Sequence, residues 1–271
     1  MKVHHISAAT LCPLSARLVN GAGGWLSRGQ MVCHCWLVES DDGLILVDTG
    51  IGSADLRDVS GRLGAWFERV VRPDTSPETT AIAQVRRLGF DPRDVRHIVP
   101  THLDLDHAGG LPDFPWATVH VFRPEHEAAM RPASRKERER YRPVHFAHGP
   151  RWDLRDVEGE RWFGFRGVHA IDGRDDVLLI PLVGHTRGHA GVAVRTADGW
   201  QLHAGDAYFH HREMAATPSC TPGLALFQRL VVIDERQRRE NQARLRAVVQ
   251  SHGDEVTVHC AHCPVEFARF V

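Results

Sequence analysis

Five apolar runs in this chain each end in a short segment carrying histidine or aspartate, and that repetition constrains the fold more than any other feature. Val95 to Val99 leads into Thr101-His102-Leu103-Asp104-Leu105-Asp106-His107-Ala108-Gly109-Gly110, which packs two histidines and two aspartates into six positions. Leu44 to Val47 leads into Asp48-Thr49-Gly50, and Val177 to Val183 into Gly184-His185-Thr186-Arg187-Gly188-His189. Trp200 to Ala204 leads into Gly205-Asp206, and Val256 to Cys260 into Ala261-His262. Short β-rich runs bounded by turn residues read as strands. Each strand then delivers a polar side chain at its C-terminal end, the edge where layered α/β proteins place their sites. Imidazole and carboxylate bind divalent first-row metals, so the pattern predicts a metal site assembled from several loops.

Helix signals fill the intervals. Asp74 to Leu88 reads as a helix capped by Ser76, with Pro77 in its first turn and Gly89 as its stop. Pro124 to Met130, Asp234 to Ser251 and Pro264 to Phe270 read as further helices. Periodicity alone gives a mixed α and β chain. No low-complexity linker divides the sequence, so one domain over residues 1–271 is expected. A formal net charge of -1 argues against nucleic acid as a partner. No run approaches membrane-spanning length, and Met1-Lys2-Val3-His4-His5 lacks the apolar region of a signal peptide, so a cytoplasmic location is expected. The six cysteines, Cys33, Cys35, Cys260 and Cys263 among them, read as reduced, partly buried thiols.

The ordered motifs resemble those of the metallo-β-lactamase-fold hydrolases. That family carries a His-x-His-x-Asp-His loop, a Gly-His-Thr-x-Gly-His segment, a bridging aspartate in a Gly-Asp turn and a late histidine. The match runs from residue 44 to residue 266. The resemblance implies an αββα sandwich, two mixed β-sheets packed face to face with helices outside. It implies two divalent metal ions, one held by His102, Asp104 and His185, the other by Asp106, His107 and His262, with Asp206 bridging them. Asp48 would orient ligands without binding metal. His259 lies inside the strand pattern while His262 follows its end, so His262 is the expected ligand. His189 reads as a structural loop residue, and histidines outside the motifs, His5 and His34 included, as surface or hydrogen-bonded core groups.

One position departs from the family pattern: Asp104 stands where a histidine is usual. Two divalent ions carry about four positive charges, and three aspartates with a bridging hydroxide would cancel them. Such a site should polarise a carbonyl less strongly. Zinc is the expected ion, and an oxygen ligand at 104 leaves room for iron or manganese.

The resemblance implies hydrolysis. A water between two divalent ions becomes acidic enough to yield hydroxide at neutral pH, which attacks a carbonyl, with Asp106 or Asp206 relaying the proton. The run Gly109 to Val119 resembles the corresponding run in N-acyl-homoserine lactonases, which also carry a tyrosine after the bridging aspartate. Tyr208 is the candidate here, two residues after Asp206, although the lactonase spacing falls on Phe209. A small-molecule lactone or ester is the expected substrate. Thioester or β-lactam hydrolysis on the same fold, and an iron-dependent oxidoreductase or dioxygenase, are the alternatives. The charged run Arg135 to Arg142 reads as a solvated face, with a lid over the site as the sharper alternative. Trp152, Trp162, Phe163 and Phe165 read as core or as an apolar pocket wall. Asn20 to Trp25 reads as a loop near the site mouth.

Overall fold

Leu44, Ile45, Leu46 and Val47 are all apolar and all buried, so the strand they form must be covered on both faces. The computed structural model, which describes residues 1–271, shows how. One sheet holds β1 (Lys2–Leu11), β2 (Met31–Ser40), β3 (Gly43–Val47), β4 (Val95–Val99), β5 (Thr118–Phe122) and β6 (Arg151–Arg155), in that spatial order. The other is built from β7 (Glu160–Trp162), β8 (Phe165–Ile171), β9 (Arg174–Pro181), β10 (Ala190–Thr196), β11 (Gly199–His203) and β12 (Val256–His259), again neighbour to neighbour. β1 to β3 pair antiparallel and β3 to β6 parallel. β7 to β11 pair antiparallel, and β12 joins β11 in parallel. Both sheets are therefore mixed.

Alternation along the strands separates the layers. Ile45 and Val47 join Trp36, Val38 and Phe122 against Val177, Leu179 and Val192 of the second sheet. Leu44 and Leu46 point the opposite way, into a cluster with Val85 and Ala128 from helices Ala81–Arg87 and Arg123–Met130. Beyond the second sheet, Leu178, Ile180 and Leu202 pack on Leu245 and Val248 of helix Glu235–Ser251. The order helix, sheet, sheet, helix is the αββα sandwich expected from the resemblance. Each buried aliphatic side chain is worth roughly 1.5–3 kcal/mol, so the layer between the sheets holds their loop-bearing edges in fixed relation. No helix is long and apolar enough to cross a membrane.

Some local expectations shift. Residues 74–88 do not form one helix: a 3-10 turn, Pro77–Thr79, precedes helix Ala81–Arg87. Thr80, in extended conformation, interrupts them and caps the helix, its hydroxyl accepting from the Ala83 amide at 3.4 Å. Ser76 is held instead by Asp74, whose carboxylate accepts from its amide at 3.0 Å. The last helix covers Pro264–Phe267, shorter than expected. Trp162, Phe163 and Phe165 pack on the outer cluster of the second sheet and Trp152 on that of the first, so they are core.

Candidate metal centre

The ligand-type residues converge because their loops leave the same edge of the sandwich. His102, Asp104, Asp106 and His107 follow β4; His185 follows β9, Asp206 follows β11 and His262 follows β12. Asp206 lies in the middle. Its Oδ1 is 3.2 Å from His262 Nε2 and 3.5 Å from His107 Nε2. Its Oδ2 is 3.6 Å from His185 Nε2 and 3.9 Å from His102 Nε2. Asp104 Oδ2 approaches His102 Nε2 at 3.3 Å and His185 Nε2 at 3.2 Å. Asp106 Oδ2 lies 3.6 Å from His262 Nε2. The structure thus brings all seven predicted ligand residues together around one carboxylate, with His102, His107 and Asp206 also within 4.8 Å of one another.

The donors suit cations. His107 Nε2 and His262 Nε2 face each other at 3.2 Å. Their opposite nitrogens are committed: His262 Nδ1 donates to the Val32 carbonyl at 2.7 Å and His107 Nδ1 to Asp48 at 2.9 Å. Those bonds occupy Nδ1 of each ring, so Nε2 is the nitrogen that each turns inward. Buried His102 Nε2 and Asp206 Oδ1 have no hydrogen-bond partner. Donors on a tetrahedral zinc, with bonds of about 2.0–2.1 Å, lie roughly 3.3 Å apart, so the spacings match.

Electrostatics follow from this crowding. Burial opposes ionisation of Asp206, but His262 and His107 override it and hold the carboxyl well below the usual range. Burial likewise opposes a charge on His262, yet Asp206 and then Asp106 push it up to about 9. His185 is driven down to about 4, by burial first and by Arg140 second.

Supporting residues pin the loops. Asp48 accepts from the Thr101 amide at 2.7 Å as well as from His107. Glu125, from helix Arg123–Met130, accepts from the amides of Leu103 at 2.9 Å and Gly188 at 3.0 Å, tying two ligand loops together. His189 accepts from the Asp206 amide at 2.9 Å and donates to the Leu182 carbonyl at 3.0 Å. Gly50 has φ +61, and a Cβ there would lie 2.0 Å from the Ala8 carbonyl oxygen; only glycine fits this turn.

Two more neighbours lie outside the predicted ligand set. Arg140 is 8% exposed, and its guanidinium donates to both Asp104 oxygens, at 2.9 and 3.1 Å, and to the Val231 carbonyl. The charged run is therefore not simply a solvated face: in helix Arg135–Arg140, Glu137 and Arg140 are buried. Burial opposes ionisation of Asp104, and Arg140 followed by His102 outweighs it, holding the carboxyl well below its usual range. The second is Cys33 of β2, buried and grouped with Asp106 and His262 within 4.8 Å. A charge run carries no sequence signal for Arg140, and Cys33 reads from the sequence as a reduced strand thiol.

Tyr208 is a correction. It is fully buried, and its hydroxyl donates to Glu266 at 3.0 and 3.2 Å, among the residues packed beneath helix Glu235–Ser251. The next residue, Phe209, turns toward the centre and stacks on His262 at 5.2 Å between ring centroids. A cavity of about 380 Å³ adjoins it, lined by Asn20, Met31, Phe209, Leu224 and His262 among others. The segment from Asn20 thus lines the mouth.

Residues 28–218 match the model of the metallo-beta-lactamase superfamily. A protein of Mycobacterium tuberculosis named "Probable metallo-hydrolase" is 39% identical over 265 residues, covering 97% of this chain and 81% of its own length. An N-acyl homoserine lactonase of Bacillus thuringiensis is 29% identical over 198 residues, 72% of this chain and 70% of that one. Among solved structures, an N-acyl homoserine lactone hydrolase with N-hexanoyl-L-homoserine at its catalytic metal centre superposes with a TM-score of 0.74. It shares 22% identity, with 99% of this chain and 95% of that chain covered. A dizinc quorum-quenching lactonase gives a TM-score of 0.60 at 15% identity, covering 97% and 90%. From motif order through sandwich topology to the match over residues 28–218, this chain belongs to the metallo-β-lactamase superfamily.

Proposed function

We propose that this chain is a metal-dependent hydrolase that opens a small lactone or ester, using two divalent ions held by His102, Asp104 and His185 on one side and Asp106, His107 and His262 on the other. The observation that carries the reading is Asp206, one carboxylate with an oxygen toward each group. When bound, the ions supply Lewis acidity and a water acidic enough to attack a carbonyl near neutral pH. Asp106 and Asp206 are the carboxylates placed to accept that proton and pass it to the leaving alkoxide. Asp48 and His189 act as positioning residues, holding His107 and Asp206 through the bonds described above. Tyr208 has no part, since its hydroxyl is bound to Glu266.

Arg140 changes the charge argument for Asp104. Its buried cation offsets the third aspartate, so the local charge returns to about that of a site with two aspartates. Zinc is the proposed ion, with iron or manganese as the alternative favoured by a carboxylate oxygen. The apolar side chains Val19, Met31, Phe209 and Leu224 around the cavity beside His262 suit an apolar acyl chain. The lactonase relatives support the same substrate class.

The test is a panel comprising an N-acyl homoserine lactone, a thioester and a β-lactam, assayed after zinc, iron or manganese reconstitution. Turnover of the lactone above the other two is expected. No turnover of any substrate by protein that has taken up metal would overturn the reading.

A further inference from the structure

A second group of imidazoles lies where the β1 and β2 region of one sheet meets β12 of the other, a junction closed by the His34 amide donating to the Ala261 carbonyl at 2.9 Å. His5 Nδ1 stands 2.9 Å from His34 Nε2, and one ring nitrogen from each of His5, His34 and His259 falls within 4.8 Å of the others. Both nitrogens of buried His259 and Nδ1 of buried His34 have no hydrogen-bond partner. Buried polar atoms without partners are rare, and this cluster holds three. His203, also adjacent, is already engaged, donating to the His34 carbonyl at 2.8 Å and accepting from the Gly205 amide at 3.2 Å.

We propose that His5, His34 and His259 form a separate site for one borderline divalent cation, Zn²⁺, Ni²⁺ or Cu²⁺. Nitrogens sharing a tetrahedral ion sit roughly 3.3 Å apart, within the range these rings span. Three neutral nitrogen donors with no carboxylate among them favour borderline ions over calcium or magnesium. Burial keeps the rings unprotonated: it holds His34 and His259 well below the ordinary histidine value and, with His203 adding to it, His5 down to about 4. Aromatic rings fix the walls. Phe270 stacks on His5 at 3.8 Å with planes 3° apart, and Trp36 lies 4.9 Å from His259. His5 is only half-buried, which gives an ion a path in and a water access to a fourth position.

The experiment is equilibrium dialysis of the full chain against zinc, with bound metal counted for the wild type, His5→Phe, His259→Phe and Asp206→Ala. Circular dichroism checks that each variant folds. Both histidine variants are expected to lose one ion relative to the wild type, whereas Asp206→Ala keeps the ion they lose. With one equivalent of Cu²⁺, Asp206→Ala should show nitrogen hyperfine splitting in its electron paramagnetic resonance spectrum, and adding His259→Phe should remove the component from this cluster, leaving only any signal from the four histidines around position 206. If the proposed dinuclear centre alone were wrong, the wild type would bind one ion, lost in His5→Phe and kept in Asp206→Ala. Folded His5→Phe and His259→Phe proteins binding as much zinc as the wild type would overturn the proposal.

Discussion

Replacing Arg140 by methionine keeps an unbranched apolar stem and removes the cation that faces Asp104. The guanidinium meets both carboxylate oxygens, with side chains only 6% and 15% exposed. At 2.9 Å and an effective dielectric of about 20, the gross attraction is about 6 kcal/mol. Desolvation cancels part of it, and removing one partner of a buried pair typically costs about 3–5 kcal/mol. In a chain of this size each kcal/mol moves the melting temperature by about 2–4 °C, so metal-free Arg140→Met should melt roughly 10 °C lower. Cations beside Asp104 would replace the missing positive charge, so the loss should fall below about 2 kcal/mol in metal-loaded protein. Urea unfolding of both forms, with and without chelator, measures the difference. A metal-free loss under about 1 kcal/mol, or an equal loss in both forms, would show that Arg140 does not balance the Asp104 charge.

The same pairing predicts that Asp104→His, which restores the usual family residue, leaves Arg140 buried without a counter-charge; the double variant Asp104→His with Arg140→Met should be more stable than Asp104→His alone in thermal melts. Tyr208→Phe should cost about 1.5–3 kcal/mol through the lost bond to Glu266 and leave kcat unchanged; a tenfold fall in kcat without loss of stability would return Tyr208 to the mechanism. Glu266 is raised to about 7, by burial first and Cys263 second. Its folded value therefore exceeds its unfolded one, so its contribution is full below about pH 4.5 and is lost as pH rises toward 7, by about 3 kcal/mol at most. Glu266→Gln should flatten stability across that window, and an unchanged slope in denaturant titrations would contradict the assignment.

Where the sequence was legible, the reason was geometric. A strand ending in a loop fixes the direction of the residue that follows it, so Asp48, His102, Asp206 and His262 could be placed from the ends of apolar runs. The choice of His262 over His259 rested on the same geometry: His259 is the last residue of β12 and lies beside His34, while His262 is in the loop beyond, with its Nε2 3.2 Å from that of His107. Tyr208 failed because the turn after Asp206 has no strand periodicity to say which of two aromatic neighbours points inward. Arg140 failed for another reason. Its helix is charged at every position, so no apolar stripe marks the buried face, and its partner lies 36 residues away. Glu125 was hidden similarly, a carboxylate whose partners are the Tyr141 hydroxyl and backbone amides of two distant loops.

The proposed chemistry depends on Asp206 joining two metal ions. Electron paramagnetic resonance of manganese-loaded protein tests it most directly, because a shared carboxylate couples the two spins. A coupled-pair signal is expected in the wild type and should disappear in Asp206→Ala. Isolated, uncoupled manganese in the wild type at full loading would contradict it.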